Sequence, residues 1–471
     1  MQRTICFLGV ALIWAALAPL VAAQTENDSD WRNREDHDRG CEVDRGGWDD
    51  RDPGRYKPGL LPPGFLHARG SQIVDCHEHP VRIAAVGWAS CLGNGIVGWV
   101  PDGLNDAPLQ TMMNNIAKIG FNTIRIHWAD PSVRGALPYT YAPGSTNGNN
   151  PQLEGKTSLQ VFDAFVQTAG NAGLKIIFDH NANESVCGQQ SNGLWFDSGP
   201  GSNNTDGNGN PGTVTAAQFQ ADTVALAARY AGNSTVIGYD LDNEPNPGNG
   251  SQTNPINWDG RVSGDTADGG GSPGNPTDIA AMYQTVGNAV EKAAPGVLIV
   301  AEGFQDYGSS APWGDLRYVT DHPLSLNRQD KLVYSIHNYP YAISGWQPDS
   351  GLTAVSEWET VWGFVQTQHI VPVWIGEMSD SLDGTGGGGN AESLPAIQAW
   401  ATDLLNFMNG KQPYGIGPVF SHDQQPMSGD WWSFGIYQGD PDGVLLDSWA
   451  SPAVKPGQQY FFSQFFFRPD R

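Results

Sequence analysis

Val236-Ile-Gly-Tyr-Asp-Leu-Asp-Asn-Glu-Pro-Asn246 opens as a short apolar run and ends in Asp242, Asn243 and Glu244, closed by Pro245. Such a run suits a strand buried on both faces, and proline then stops it. The carboxyl end of a packed parallel strand is where α/β barrels hold their reactive groups. A lone Asn-Glu-Pro is common in loops, but Val371-Pro-Val-Trp-Ile-Gly-Glu-Met378 repeats the form and ends in Gly376-Glu377. Glycoside cleavage needs two carboxyl groups facing one bond, one protonating the leaving oxygen and one attacking carbon or activating water. A single strand-end glutamate is readily explained as an ion-paired or helix-capping acid. Two at matching strand ends are harder to explain so.

Working outward, strand and helix patterns alternate. Gln72-Ile-Val-Asp75 and Val81 to Trp88 read as a hairpin followed by a first strand. A helix from about Asn105 to Lys118 buries Leu109, Met112, Met113 and Ile116 and stops at Gly120. Phe121-Asn-Thr-Ile-Arg-Ile-His-Trp128 alternates as a strand carrying Arg125 inward, costly unless carboxylates meet it. Further strands are centred near Ile176, Tyr239, Ile299, Tyr334 and Trp374, with a last one between Phe420 and Trp432. Helices are expected over Ser158–Ala172, Thr215–Tyr230, Thr277–Lys292, Ser356–Thr367 and Leu394–Met408. Eight alternating units predict a single (β/α)8 TIM barrel with long loops on the substrate side.

Composition narrows the partners. Asp plus Glu number 50 against 25 Lys plus Arg, and the net charge of -25 argues against nucleic acid or an anionic membrane. A neutral polymer meets no such repulsion. The 17 Trp and 14 Tyr supply flat rings of the kind that face sugars, although most such rings serve equally as core. With 59 Gly and 33 Pro, much of the chain must lie in loops.

Residues 1–23 read as a secretory signal: Arg3, then an apolar core from Ile5 to Leu20, then Val21-Ala22-Ala23 before a cut. That core is short for a bilayer span, and no later segment suits one. The expected location is extracellular or periplasmic. Residues 24–60 form a charged arm or linker that buries too little to order itself, leaving 61–471 as the catalytic barrel. Cys41, Cys76, Cys91 and Cys187 then sit in an oxidising compartment, where disulfides are expected; four cysteines allow three pairings, and Cys91 with Cys187 is preferred. Asp206-Gly-Asn-Gly-Asn210 starts like a calcium loop, but Pro211 and Ala217 occupy the positions of its glycine and closing glutamate. No metal or cofactor is expected, and a monomer is. Asn203 and Asn233 would be glycosylated only on a eukaryotic secretory route.

In order along the chain, these motifs resemble glycoside hydrolase family 5, the cellulase family of clan A. Pro101-Asp-Gly-Leu104 with Gly120-Phe-Asn-Thr-Ile-Arg125 is similar to the family's second strand, and Ile237 to Pro245 to its acid/base strand. Tyr334-Ser-Ile-His-Asn-Tyr339 resembles its sixth strand, Val373-Trp-Ile-Gly-Glu377 its nucleophile strand, and Trp432-Ser-Phe434 onward its eighth strand and tail. The likeness runs from about Gly64 to the C-terminus. At strand three the family's Asp-x-His is replaced by Asp179-His180-Asn181, so either His180 or Asn181 takes that role.

The resemblance implies Glu377 as nucleophile and Glu244 as acid, then base, in a retaining mechanism whose carboxyls stand about 5 to 5.5 Å apart. A negative Glu377 would favour the proton on Glu244 until the glycosyl-enzyme forms. Arg125 and Tyr339 would orient Glu377, Asn243 would bond the sugar 2-hydroxyl, His337 would line the same subsite and Trp432 would stack beneath the sugar. Trp195, with Phe196 and Trp88, is placed as an outer sugar contact or, equally, as core. A secreted endo-β-1,4-glucanase is the expectation, with mannan, xyloglucan or mixed-linkage glucan as alternative substrates. A non-catalytic carbohydrate-binding barrel and a metal-dependent hydrolase are the rival classes.

Overall fold

The structure, a computed structural model, describes residues 59–90, 101–134, 146–183, 192–205, 209–246, 256–262, 273–305, 314–340, 354–383, 393–410, 426–436 and 443–466. Eight parallel strands close into a barrel in chain order: β1 Ala84–Trp88, β2 Thr123–Ala129, β3 Lys175–Ala182, β4 Val236–Asp240, β5 Leu298–Glu302, β6 Leu332–His337, β7 Val373–Met378 and β8 Gly429–Trp431. This is the expected (β/α)8 architecture. The eighth strand is shorter than the stretch assigned to it, and Phe420 lies outside the described residues.

Helices pack outside the barrel: α1 Leu109–Ile119, α2 Ser158–Asn171, α3 Ala216–Tyr230 and α4 Ile279–Ala293. Next comes α5, running Ala354–Trp358, through a π turn at Glu359–Gly363, to Phe364–Thr367; α6 Leu394–Met408 and α7 Pro456–Phe465 follow, and a short helical turn, Asp130–Arg134, leaves the end of β2. Their starts follow local chemistry. Thr157 and Gln160 form a reciprocal capping box on α2, while Thr215 and Asp278 accept the first free amides of α3 and α4. After α1 the chain turns at Gly120 with φ 127, where a Cβ would stand 2.6 Å from the Phe466 ring. The terminal helix α7 was not expected, since its run of phenylalanines lacks a clear period. Phe461, Phe462 and Phe465 are buried there, and the first two rings lie 4.9 and 5.1 Å from Trp431.

Strand alternation divides the apolar residues into two bodies. Val86, Ile124, Ile126, Ile176, Phe178, Ile299 and Tyr334 face outward into the core shared with the helices. Ile83, Ile177, Ile237, Leu298, Val300, Val333 and Trp374 belong to a separate cluster inside the barrel. A hairpin of His67–Arg69 and Gln72–Val74 closes the amino end of the barrel, and its Leu66 and Ile73 join that inner cluster. The expected stretch at Gln72 is thus the second strand of the hairpin, its first strand lies upstream at His67–Arg69, and Val81 and Ile83 lead on to β1. Lys175 Nζ donates to the carbonyls of Gly64 and Ser234, and Lys331 Nζ to those of Leu66 and Gly296, fastening this end. No helix among the described residues is long and apolar enough to cross a membrane. The export signal, the charged arm up to residue 58, Cys41, Cys91, Cys187 and Asp206 fall outside the described residues, while Leu60, counted with the arm, packs against the core.

Candidate active site

At the carboxyl end of the barrel the interior turns from apolar to charged. Arg125 on β2 is fully buried, and its guanidinium is ringed by four acids from four other strands. Nη1 donates to Glu377 Oε1 at 2.7 Å, while Nε and Nη2 reach Asp240 Oδ2 at 3.1 and 3.0 Å. Nη2 also donates to Asn243 Oδ1 at 2.9 Å, and stands 3.0 Å from Asp179 Oδ1 and 4.0 Å from Glu302 Oε2. Burial by itself would weaken this cation, but the carboxylates outweigh it and hold Arg125 well above its ordinary pKa. A permanent positive charge is therefore fixed beneath Glu377.

Glu377 ends β7 and Glu244 lies just past β4, yet one oxygen of each and a His337 ring nitrogen lie within 4.8 Å of one another. Tyr339 Oη donates to Glu377 Oε2 at 2.6 Å, so both oxygens of this carboxylate are held, one by Arg125 and one by the phenol. His337 Nδ1 lies 2.8 Å from Glu244 Oε1 and 3.5 Å from Glu377 Oε2. Burial pushes the imidazole down to about 3, with Glu377 opposing and Arg125 adding to the shift, so His337 is neutral at ordinary pH. Glu244, His337 and Glu377 are residue types that also ligate divalent cations, but Arg125 already neutralises Glu377 from one side.

Glu244 itself adopts φ 52, a left-handed conformation uncommon outside glycine. Its neighbours hold the backbone there. The Asn243 amide donates to the His180 carbonyl at 2.9 Å, the Gln305 amide to the Pro245 carbonyl at 2.8 Å, and Asn246 Nδ2 to the Glu244 carbonyl at 2.9 Å. Gly193 comes so close to Asn246 that a Cβ would overlap its carbonyl oxygen.

The structure separates the two strand-three candidates. His180 points outward into the helix layer, with Nε2 at 2.9 Å from Asp130 Oδ2, Nδ1 at 3.6 Å from Asp242 Oδ1, and its ring against Trp128 and Phe219. It braces the Glu244 loop from behind. Asn181 follows Asp179 by two on the strand and is buried, with Oδ1 lacking a hydrogen-bond partner. The imidazole nearest Asp179 is that of His127 on β2, with Nε2 3.4 Å from Oδ2. Its ring lies parallel to Trp432, 4.5 Å between centroids, and burial with Arg125 and His337 nearby keeps it neutral. Trp432 is half-buried at the site, whereas Trp195 is only 3 % exposed, packed with Phe196 in the core. Trp88 is likewise enclosed, by Phe165, Phe434 and Trp449.

Sequence reasoning did not single out His127, Asp240, Glu302 or Asp430 as parts of this layer. Burial raises the carboxyls of Asp179, Glu302 and Asp430 well above the usual range, and Asp240 to about 6 even with Arg125 opposing the shift. A signal for most of them was present. An inward arginine calls for acids at the same height on neighbouring strands, and Asp179, Asp240 and Glu302 occupy those strand ends.

Comparison with known proteins gives one consistent picture. The sequence model of a family described as "Cellulase (glycosyl hydrolase family 5)" matches residues 75–418. An endoglucanase of Paenibacillus polymyxa is 28 % identical over 400 residues, covering 82 % of this chain and 84 % of the relative. The major extracellular endoglucanase of Xanthomonas campestris is 25 % identical over 402 residues, covering 83 % of this chain and 69 % of the relative. Among solved structures, a cellotetraose complex of the endocellulase from Pyrococcus horikoshii superposes with a TM-score of 0.62 at 23 % identity, covering 85 % of this chain and 98 % of that one, a likeness of fold.

Proposed function

We propose, starting from the fact that this chain belongs to glycosyl hydrolase family 5, that it is an exported endo-β-1,4-glucanase cleaving with retention of configuration. The observation that carries the reading is the approach of Glu244 and Glu377 to within 4.8 Å at their nearest ligand atoms, from strands far apart in sequence. That spacing supports the retaining class, at about 5 to 5.5 Å between carboxyls, over the inverting one, whose carboxyls stand about 6.5 to 9.5 Å apart.

Glu377 attacks the anomeric carbon. Its negative charge is kept and aimed by Arg125 and Tyr339, one on each oxygen. Glu244 gives its proton to the departing glycosidic oxygen as that bond breaks, then takes a proton from the water that releases the sugar from Glu377. Charge lost from Glu377 on forming the ester removes the repulsion that favours the proton on Glu244, so the same residue serves as acid first and base second. Asn243, anchored through Oδ1 by Arg125, is placed to turn its amide toward the sugar 2-hydroxyl. Trp432, backed by His127, offers the stacking face.

Support for β-1,4-glucan comes from the endoglucanase and endocellulase names of the relatives, and support for export from residues 1–23 and the extracellular relative. Glu377→Gln should lower release of reducing ends from soluble cellulose derivatives by about 10⁴-fold or more while polymer binding persists. Turnover equal to wild type in that variant would remove the mechanism. Proton NMR of the first product released should show the β anomer. A panel of cellulose, mannan, xyloglucan and mixed-linkage glucan sorts the substrate, and dialysis against a chelator should leave activity intact.

A further inference from the structure

Glu302, at the end of β5, is fully buried and has no part in the steps above. Its Oε1 accepts a hydrogen bond from Gln305 Nε2 at 2.7 Å and lies 3.3 Å from His337 Nε2. The opposite ring nitrogen, Nδ1, is the one 2.8 Å from Glu244 Oε1. Gln305 holds both ends of this line, since its backbone amide also binds the carbonyl of Pro245, next to Glu244. Tyr283 from α4 grips Glu302 from behind, its hydroxyl donating to the Glu302 carbonyl at 3.0 Å and accepting its amide at 3.1 Å. A buried carboxyl this firmly placed is costly, and a partner must justify it.

We propose that Glu302 is a positioning residue that keeps the proton of His337 on Nε2, so that Nδ1 presents a lone pair to Glu244 and holds that residue in its protonated, acid-ready form. The inference rests on the assignment of Glu244 as acid. The nitrogen of a side-chain amide can only donate, so Oε1 of Glu302, which receives Gln305 Nε2, is an acceptor whether or not Oε2 carries a proton. His337 Nε2 therefore faces an acceptor 3.3 Å away, off line for a full hydrogen bond in this structure but close enough to favour the proton on that nitrogen. As a neutral ring it then has no second proton, and the 2.8 Å contact to Glu244 must be bridged by the proton of the carboxylic acid. Among the described residues, the other charged or titratable groups facing this line include Arg125 and His127 on β2, Asp179 on β3, Asp240 on β4, Glu377 on β7 and Tyr339 just past β6. All of them remain in the variants below.

Glu302→Leu removes the acceptor and Glu302→Gln retains it. In the leucine variant His337 is free to protonate Nδ1 and donate to Glu244, which favours the carboxylate. The alkaline limb of kcat/KM on a soluble cellulosic substrate should then move to lower pH by about half to one unit, with kcat down about tenfold and KM little changed. Glu302→Gln should keep the wild-type profile. A merely structural role would lower stability without moving the limb. An unmoved limb in Glu302→Leu, or a glutamine variant that behaves like the leucine one, overturns the proposal. Should the leucine variant not fold, nitrogen-15 spectra of histidine-labelled wild-type enzyme decide: a pyrrole-type Nε2 and a pyridine-type Nδ1 at His337 support it, and the reverse overturns it. The spectra need no turnover, so this outcome is distinct from failure of Glu377→Gln to abolish activity, which would sink the catalytic reading itself.

Discussion

The two halves of the barrel interior are built by the same strands and have opposite chemistry. Near the amino end β3, β5, β6 and β7 contribute Ile177, Leu298 with Val300, Val333 and Trp374, a dry cluster sealed by the hairpin. One or two inward positions later the same strands carry Asp179, Glu302, His337 and Glu377 around a single arginine. Apolar packing in the lower half needs only volume and shape. The upper half needs charge balance, because every carboxylate there is desolvated and Arg125 is the cation that meets four of them. The lower layer supplies stability, and the upper layer uses some of that stability to hold ionisable groups where water would otherwise take them.

The most severe way to break this contrast is Arg125→Met. With Asp179, Asp240 and Glu377 left without their counter-charge, unfolding free energy should fall by about 3–5 kcal/mol, read by denaturant titration, and hydrolysis should be lost. Retention of wild-type stability would show that the acids do not depend on the arginine. In the lower layer Leu298→Ala should cost about 2–4 kcal/mol by the same titration yet leave kcat within about twofold, because it opens a cavity at the opposite end of β5 from Glu302. A large fall in kcat there would mean the two layers are not separable. Tyr339→Phe removes one hydrogen bond to the Glu377 carboxylate and nothing from the packing. Its expected effect is about a tenfold to hundredfold loss of kcat at unchanged melting temperature.

The smallest effect concerns Asp242, whose carboxyl burial pushes up to about 7 against the pull of His180. The folded protein then binds a proton between the ordinary carboxylate range and pH 7 that the unfolded chain has released. Stability from this group is full below about pH 4 and is lost as pH rises toward 7. Asp242→Asn should therefore gain on wild type in unfolding free energy as pH goes from about 4 to about 7. Asp240, raised to about 6, contributes a slope of the same sign that remains in the variant, while His337, lowered to about 3, contributes the opposite one. A difference between variant and wild type that stays flat with pH would place the Asp242 proton elsewhere.

Much of this was legible before any coordinates. Apolar runs ending in polar clusters marked strands β1 to β7, and the pairing of Glu244 with Glu377 followed from the match of form between two of those runs. Less legible were the short β8 and the aromatic helix α7, whose Gln-Gln-Tyr-Phe-Phe-Ser-Gln-Phe carries no decisive period. Trp195 shows the limit from another side: a tryptophan in a glycine-rich loop reads equally as platform or core, and its neighbour Phe196 together with the buried Asn192 and Asp197 places it in the core.

Local pattern determined the class of most elements, the inward face of Arg125 and the two strand ends that carry Glu244 and Glu377, because strand period and strand termination are properties of a few adjacent residues. Which groups meet was decided only by closing the barrel. Asp179 and His180 are neighbours in sequence, but one meets Arg125 inside the barrel and the other meets Asp130 in the helix layer, and His127, Asp240 and Glu302 come together only through the registers of β2, β4 and β5 with their neighbours. Side-chain charge interactions depend on distances of a few ångströms between residues as much as 252 positions apart, and no single stretch of chain contains those distances.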